Sequence, residues 1–253
     1  MTDPVAVVTG AGGGIGGACA RALADTHHVV CVDLDPHRAR ETAAAIGESG
    51  GAATAVVADA GDPDFGDVVA EAAALVGQVR CAVHAVAHEE HTPAIELSVA
   101  SMQRSFTLGP LAAFAMFRAL LRTCSPPPGS AFTVIGSLHE THAFAQCLGY
   151  NAAHGALGQV VRTLAHEWAE RRIRVNAVVP GWIATPGEAA FYTEEELARA
   201  GRALPFGRLG DVDDVAKAVV FVSSPAARYV SGSFLTVDGA LSVSLSRLPE
   251  GEG

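Results

Sequence analysis

The feature that most constrains the fold is an apolar run that ends in a glycine-rich turn and continues directly into a helical pattern. Val5–Thr9 is the apolar run, and the chain from Thr9 reads Thr-Gly-Ala-Gly-Gly-Gly-Ile-Gly. A turn in this position of a doubly wound sheet binds the pyrophosphate of a dinucleotide. Gly10 permits the tight turn, while Gly14 and Gly16 allow close backbone approach. The alternative is a flexible turn that binds nothing.

The rest of the chain alternates short apolar runs with longer alanine-rich patterns. The predicted strands are Val5–Thr9, Val29–Asp33, Thr54–Asp59, Cys81–Val86, Ala131–Ser137, Arg174–Val179 and Phe234–Val237. The predicted helices are Ile15–Ala24, Pro36–Ile46, Asp67–Val76, Ser101–Leu121, Asn151–Ala169, Glu194–Ala203 and Val212–Val222. This alternation predicts an α/β protein, with one doubly wound Rossmann-type domain that has helices on both faces of a parallel sheet. Residues after about Leu245 are predicted to form a short polar tail.

Charge and composition exclude several classes of protein. The formal net charge is −10 and hydrophobic residues make up 49% of the chain, which argues against nucleic-acid binding, polybasic membrane contact and disorder. The longest apolar stretch, Leu108–Leu121, is shorter than the roughly 20 residues that span a bilayer. Five scattered cysteines and an N-terminus without a signal-peptide pattern predict a reducing, cytoplasmic location.

Acidic residues at two strand ends predict the kind of dinucleotide. Asp33 closes the second predicted strand 17 residues after Gly16, where a carboxylate accepts hydrogen bonds from the adenosine ribose. The same carboxylate would repel a 2′-phosphate, so NAD is predicted rather than NADP. The alternative is that Asp33 caps the next helix, a role that suits Asp35 better. Asp59 ends the third predicted strand and is expected to reach the adenine edge.

Several motifs, in the same order, resemble those of the short-chain dehydrogenase/reductase family. Thr9–Gly16 is similar to its T-G-x-x-x-G-x-G motif, and Ser137 precedes Tyr150 by 13 residues, as the catalytic Ser and Tyr of that family do. Arg174–Thr185 resembles its proline–glycine motif after the sixth strand. Pro205–Gly210 and Val237–Gly239 resemble its C-terminal motifs, so the similarity covers nearly the whole chain.

The resemblance implies a seven-stranded parallel sheet, often in a homotetramer, and hydride transfer between nicotinamide and a small-molecule alcohol or ketone. Tyr150 would be the acid/base, Ser137 would bind the substrate oxygen, and Ile183 and Thr185 would hold the nicotinamide amide. The implied cofactor-binding residues are Gly10, Gly12, Gly14, Ile15, Gly16, Asp33, Asp59, Ala60, Ala85, Tyr150, His154, Pro180, Ile183 and Thr185.

Three departures from the family pattern concern the region of catalysis. The family's Tyr-x-x-x-Lys is Tyr150-x-x-x-His154 here, and the only lysine, Lys217, is expected on a later surface helix. His154 either performs the lysine's ribose-binding role imperfectly or marks the loss of redox chemistry. Gly109 stands where the family carries an asparagine, although Pro110 would still kink the helix and free a carbonyl. The family's Asn-Asn-Ala-Gly stretch is replaced by residues 84–87, His-Ala-Val-Ala.

Histidines concentrate after the fourth and fifth predicted strands. They are His84, His88, His91, His139 and His142. Two H-x-x-H pairs are metal-ligand candidates, but no cysteine or carboxylate spacing reinforces them, so we predict polar residues of a substrate pocket and no metal. Thr185–Pro205 is the predicted lid, with Phe191, Tyr192 and Leu197 as partly apolar contacts.

Three functional hypotheses follow. The first is an NAD-dependent alcohol dehydrogenase or ketoreductase, favoured by Ser137 and Tyr150. The second is a diverged enzyme that keeps the NAD site but catalyses elimination, isomerisation or cyclisation. The third, a non-catalytic binding subunit, is disfavoured by the intact glycines and Asp33. We also expect a homotetramer built on Ser101–Leu121 and Asn151–Ala169, because the second helix carries an apolar stripe. The stripe consists of Leu157, Val160, Val161, Leu164 and Trp168.

Overall fold

A seven-stranded, wholly parallel sheet organises the computed structural model, which describes residues 4–244. Its strands are β1 Val5–Thr9, β2 His28–Asp33, β3 Ala53–Val57, β4 Val79–His84, β5 Ala131–Ile135, β6 Arg174–Pro180 and β7 Phe234–Val237. They lie in the order β3-β2-β1-β4-β5-β6-β7. The predicted doubly wound α/β fold is confirmed. Strands β3, β4 and β5 end two residues earlier than predicted, because their last residues already belong to the loops that follow.

Helices cover both faces of this sheet. They are α1 Gly14–Leu23, α2 Pro36–Glu48, α3 Phe65–Val76, α4 Val99–Phe106, α5 Ala112–Thr123, α6 Leu148–Glu167, α7 Glu194–Ala203 and α8 Val212–Ser223. One apolar cluster packs α3, α5 and α6 against one face, and a second packs α1 and α8 against the other. None of the helices between residues 4 and 244 combines the length and the apolarity needed to cross a membrane.

The strand order reverses beside β1, which pairs with β2 on one side and with β4 on the other. Connections from β1 and from β4 therefore leave in opposite directions, which opens a crevice beyond the carboxyl ends of the two strands. Ligands of doubly wound proteins bind at such a switch point. The fold thus brings the turn after β1 and the loops after β4 and β5 to one edge of the sheet.

The helix predicted over Ser101–Leu121 is interrupted. A π-helical turn at Thr107–Leu111 separates α4 from α5 and contains Pro110, which has no backbone N–H to donate. The expected kink is therefore present. The carbonyl of Leu108 accepts a hydrogen bond from Nε2 of His84 at 2.9 Å, so the kink is joined to the centre of the sheet.

The apolar stripe of α6 belongs to the core of this chain, so it does not support the predicted oligomer. Leu157, Val161, Leu164 and Trp168 are between 0 and 8% exposed and pack in the cluster under α5 and α6. The stripe is wide because α6 covers β5 and β6 and also contacts α4. The polar tail predicted after Leu245 lies outside the described residues.

Candidate active site

The turn after β1 is built so that only glycine fits at two of its positions. A Cβ on Gly10, whose φ is 67°, would lie 2.6 Å from the carbonyl oxygen of Ala85. A Cβ on Gly16 would collide with the carbonyl of Gly10. The backbone therefore packs tightly against β4, and α1 begins at Gly14 with free N–H groups at its first turn. This bare turn at a helix N-terminus fits a dinucleotide pyrophosphate.

Asp33 lies beside this turn and is held by backbone donors. Its Oδ2 accepts from the N–H of Gly12 at 2.8 Å, and its Oδ1 accepts from Asp35 at 3.0 Å. A Cβ on Gly12 would lie 2.6 Å from Cβ of Arg38, so a guanidinium side chain starts next to the same turn. Sequence reasoning missed Arg38, because no motif spacing marks it. After β3, the strand next to β2, Asp59 accepts from the N–H of Gly61 at 2.7 Å, and Ala60 next to it is buried.

One cavity of about 520 Å³ opens beyond the sheet edge and brings two of the three predicted catalytic residues together. Six of the predicted catalytic and cofactor-binding residues line it. They are Ile15, Ser137, Tyr150, Pro180, Ile183 and Thr185. These residues come from α1, α6, the loop after β5, and the end of β6 with the loop after it, so the fold joins four distant parts of the chain. His154 does not line this cavity.

Tyr150 is half-buried in the wall of the cavity, three residues into α6. Burial raises the pKa of its phenol above the ordinary value, and the negative charge of Glu89 raises it further. The hydroxyl of Ser137 acts in the opposite direction. The ring of His139 meets the tyrosine edge-on, with centroids 4.9 Å apart. Among the described residues that line the cavity, none is a lysine or an arginine, so no fixed cation lowers this pKa.

His154 packs behind Tyr150, with ring centroids 4.2 Å apart. It is 5% exposed and borders a separate small hollow that Gly109 and His88 also line. Burial, together with the nearby rings of His139 and His84, lowers the pKa of His154 to about 3. Its Nδ1 is buried with no hydrogen-bond partner in the part of the chain that the structure describes. The imidazole is therefore uncharged at neutral pH.

His84 links β4 to β1 and to the kink between α4 and α5, and it does not line the cavity. It is the last residue of β4 and is 1% exposed. Its Nε2 must carry the proton, because the Leu108 carbonyl can only accept, so its Nδ1 accepts from the Thr9 hydroxyl at 3.0 Å. Burial lowers the pKa of His84 to about 4. This chain of contacts ties β1 to the kink between α4 and α5, and sequence reasoning found the residue but not its partners.

The remaining histidines do not act as H-x-x-H pairs. His91 lines the cavity, contacts Glu89 at 2.9 Å and stacks on Phe191 with centroids 4.3 Å apart. His139 also lines the cavity and contacts Asn151 at 2.6 Å. His88 instead contacts Ser101 at 3.3 Å, and His142 is exposed.

Two further cavity residues were not singled out by sequence reasoning. Glu188 accepts a hydrogen bond from Nε1 of Trp182 at 2.8 Å, and burial raises the pKa of its carboxyl. Cys147 is buried in the wall between Glu89 and Tyr150. No motif marks either residue, because their significance comes only from the side chains beside them in space.

Comparison with known proteins identifies the family. Residues 10–242 match a family model described as enoyl-(acyl carrier protein) reductase. A 3β-hydroxysteroid dehydrogenase from Eggerthella lenta is 35% identical over 242 residues, which cover 94% of this chain and 93% of the relative. The chain belongs to the short-chain dehydrogenase/reductase family. It is therefore an oxidoreductase of the type that uses a nicotinamide cofactor. Galactitol 2-dehydrogenase from Cereibacter sphaeroides, another relative, is 34% identical over 244 residues, with 94% of each chain covered.

Solved structures of similar proteins share the fold. A protein from Beutenbergia cavernae, solved with NADP at low occupancy, is 34% identical with a TM-score of 0.86, covering 95% of this chain and 97% of its own. A 7α-hydroxysteroid dehydrogenase in complex with NADH and 7-oxo glycochenodeoxycholic acid is 28% identical with a TM-score of 0.88, covering 94% of each chain. Members of this family with closely similar folds thus bind either form of the cofactor.

Proposed function

We propose that this short-chain dehydrogenase/reductase transfers hydride between the nicotinamide of NAD and a small-molecule alcohol or ketone. The observation that carries the proposal is the cavity of about 520 Å³, in which Ser137 and Tyr150 face the glycine turn and the proline–glycine segment. A hydroxyl that donates, a phenol that exchanges a proton and a dinucleotide cradle are the parts that carbonyl reduction requires.

Bound NAD would supply the hydride acceptor, and NADH the donor. The first turn of α1 binds the pyrophosphate through its free N–H groups, and Asp33 accepts from the ribose hydroxyls. Ile183 and Thr185 hold the amide end of the cofactor. Ser137 donates to the substrate oxygen and fixes its position. The Tyr150 phenolate accepts the alcohol proton during oxidation, and the Tyr150 phenol returns that proton during reduction.

The preference for NAD rests on Asp33. Its carboxylate lies at the turn in a position fixed by two backbone donors, so it cannot easily move away from an incoming 2′-phosphate. Arg38 opposes this effect, because its guanidinium could pair with such a phosphate. We give Asp33 the larger weight, since the Arg38 side chain is exposed and lies 3.7 Å from the carboxylate of Asp35.

The charge of the cavity favours an uncharged substrate. Glu89 and Glu188 both line it, and no arginine or lysine among the described lining residues opposes them. In the metal-free protein, a carboxylate substrate would bring a third negative charge into a partly buried site. We therefore propose a neutral alcohol or ketone, held against the apolar surfaces of Trp182 and Phe191.

The alternative is a diverged enzyme that keeps the NAD site and catalyses elimination, isomerisation or cyclisation. Its support is the altered Tyr-x-x-x-Lys motif, because His154 is buried, uncharged and unable to supply the lysine's positive charge. We rank it second, because Ser137 and Tyr150 still face one cavity. In the first-ranked function, hydride transfer, the Tyr150–His154 pair would be slow at neutral pH but not inactive.

Further proposals concern the organisation of the protein. We propose one domain over residues 1–253 in which 185–205 forms the lid, supported by Phe191 and Tyr192 around His91. We also propose a cytoplasmic homotetramer. Its expected contact surface is the exposed side of α5, where Phe114 and the preceding Leu111 remain 37% and 57% exposed. A monomer mass by light scattering at micromolar protein would contradict the tetramer.

The test of the function combines binding with turnover. NADH fluorescence on titration should show saturable binding, and a panel of neutral alcohols with NAD should give NADH absorbance. Gly10→Ala should weaken NADH binding, because its Cβ would lie 2.6 Å from the carbonyl oxygen of Ala85 and would displace the turn that binds the pyrophosphate. Gly13→Ala is the matched control, since nothing lies within 4 Å of its Cβ position. Binding without turnover on any alcohol or ketone would favour the diverged enzyme.

A further inference from the structure

We propose that Glu89, His91 and Cys147 form a Zn²⁺ site in the wall of the cavity. Each of the three residues offers a ligand atom, and these atoms all lie within 4.8 Å of one another. All three also line the cavity that contains Tyr150. The sequence does not indicate this group of three ligands, because Cys147 lies more than fifty residues after His91 and belongs to neither H-x-x-H pair.

The donor set identifies the metal. Thiolate, imidazole and carboxylate together suit Zn²⁺, which binds sulfur at about 2.3 Å, nitrogen at about 2.0–2.1 Å and oxygen at about 2.0–2.2 Å. Ligand atoms around a tetrahedral zinc are then roughly 3.3–3.7 Å apart. The atoms of Glu89 and His91 are now 2.9 Å apart and the whole set spans at most 4.8 Å. Side-chain adjustments of about an ångström therefore complete the geometry.

The two loops that carry the ligands are already joined. The N–H of Thr92, next to His91, donates to the carbonyl of Gln146 at 2.8 Å, next to Cys147. Cys147 is 5% exposed at the start of α6, and the imidazole of His91 is held by its stack on Phe191. Little conformational entropy remains to be lost when a metal binds, because the backbone between the ligands is fixed.

The surroundings of the three ligands favour a bound cation, and the ligand number leaves one coordination position of the metal open. The carboxylates of Glu89 and Glu188 share the cavity wall, where the described lining offers no lysine or arginine to compete with a metal. Three protein ligands leave a fourth tetrahedral position for water or a substrate oxygen, as in catalytic zinc sites. On binding, the S–H bond of Cys147 breaks, a sulfur–zinc bond forms and the proton passes to solvent.

The first experiment measures zinc itself. Purified protein is stripped with a chelator, titrated with Zn²⁺ against a chromogenic competitor, and its bound metal is counted after desalting. We expect one equivalent per chain with a dissociation constant at or below the micromolar range. Removing an outer-shell partner of a metal site already costs about 10–100-fold in affinity, so Cys147→Ser and His91→Gln should each cost at least about 100-fold. Cys124→Ser and His142→Gln are the matched controls and should bind as the unaltered protein does.

The second experiment needs no variant to fold. Co²⁺ bound to a thiolate gives an intense near-ultraviolet charge-transfer absorption, which we expect in the stripped, unaltered protein and expect Zn²⁺ to displace. The proposal is overturned if stoichiometric Co²⁺ gives no such absorption, or if a folded Cys147→Ser variant binds zinc as tightly as the unaltered protein. Both measurements omit cofactor and substrate, so their failure is distinct from failure of the proposed hydride transfer.

Discussion

The two halves of the sheet edge are built on different principles. Around β1 to β3, the cofactor half is defined by backbone: the turn at Gly10 packs on Ala85, and Asp33 is fixed by two N–H groups. Around the ends of β4 and β5, the catalytic half is defined by side chains from distant segments. There the rings of His139 and His154 contact Tyr150, and no lysine or arginine is among the cavity-lining residues that the structure describes.

The difference shows which part of such a site can change independently. The backbone cradle does not tolerate a side chain at Gly10 or Gly16, because a Cβ at either position would meet a neighbouring backbone carbonyl. Side chains around Tyr150 can be exchanged while the sheet is retained, provided that buried polar atoms find partners, as His84 does with Thr9 and Leu108. The cofactor half therefore keeps the family pattern, and the catalytic half departs from it.

The largest predicted effect is on kcat, and it distinguishes the catalytic half of the sheet edge from the cofactor half. Tyr150→Phe removes the group that exchanges the proton and should lower kcat about 10²–10⁴-fold, while NADH affinity changes far less. Initial rates on the best alcohol of the panel and fluorescence titration measure the two quantities. Tyr229→Phe is the matched control, because Tyr229 is fully exposed. Unchanged turnover in Tyr150→Phe would mean that the catalytic half uses another acid/base.

The second predicted effect is on the choice between NADH and NADPH, and it concerns the cofactor half alone. Asp33→Asn removes the negative charge beside Gly12 and leaves Arg38 in place, so affinity for NADPH should rise relative to NADH by about 10–100-fold. Calorimetric titration with both cofactors measures the ratio. Asp25→Asn, in the loop before β2, serves as the control for a lost surface carboxylate. Equal affinities for NADH and NADPH in the unaltered protein would show that Arg38 fully offsets the repulsion by Asp33.

The smallest effect concerns stability in acid. The pKa values of His84 and His154 are lowered from 6.5 to about 4 and about 3, so below pH 6.5 these histidines bind protons in the unfolded chain but not in the folded chain. Their contribution to the free energy of unfolding is therefore fully present above pH 6.5. It declines as the pH falls, by about 1.4 kcal/mol per pH unit for each histidine.

Urea unfolding from pH 6.5 down to about 5, above the range where carboxylates protonate, measures this slope. His154→Leu should remove part of it, because burial also lowers the pKa values of His27, His84 and His139, whereas replacing the exposed His166 with asparagine should leave the slope unchanged. An unchanged slope in His154→Leu would mean that His154 is protonated in the folded protein, and the contrast between the two halves would disappear.

The contrast between local backbone features and side chains from distant segments also explains which features could be predicted from the sequence. Val5–Thr9, the glycine turn and Phe234–Val237 were predicted at their true bounds, because their patterns are local. The kink at Pro110 was also foreseen, since proline acts through its own backbone. The α6 stripe was misassigned to an interface, because the sequence does not show how much of a helix one sheet and its neighbouring helices bury. The grouping of Glu89, His91 and Cys147 depends on two loops that meet only in the folded chain.

In the metal-free enzyme no positively charged side chain lines the described cavity beside Tyr150, and the pH profile of alcohol oxidation in metal-free buffer tests this most directly. Because burial raises the pKa of Tyr150 and His154 is uncharged, kcat should climb through neutrality into alkaline pH without a plateau. In His154→Lys the profile should move about 1–3 units to lower pH, raising kcat at neutral pH roughly tenfold or more, while His166→Lys on the exposed side of α6 should not shift it. A plateau already reached at neutral pH in the unaltered enzyme, or loss of the reaction in His154→Lys with NADH binding intact, would contradict the account and give His154 a chemical role of its own.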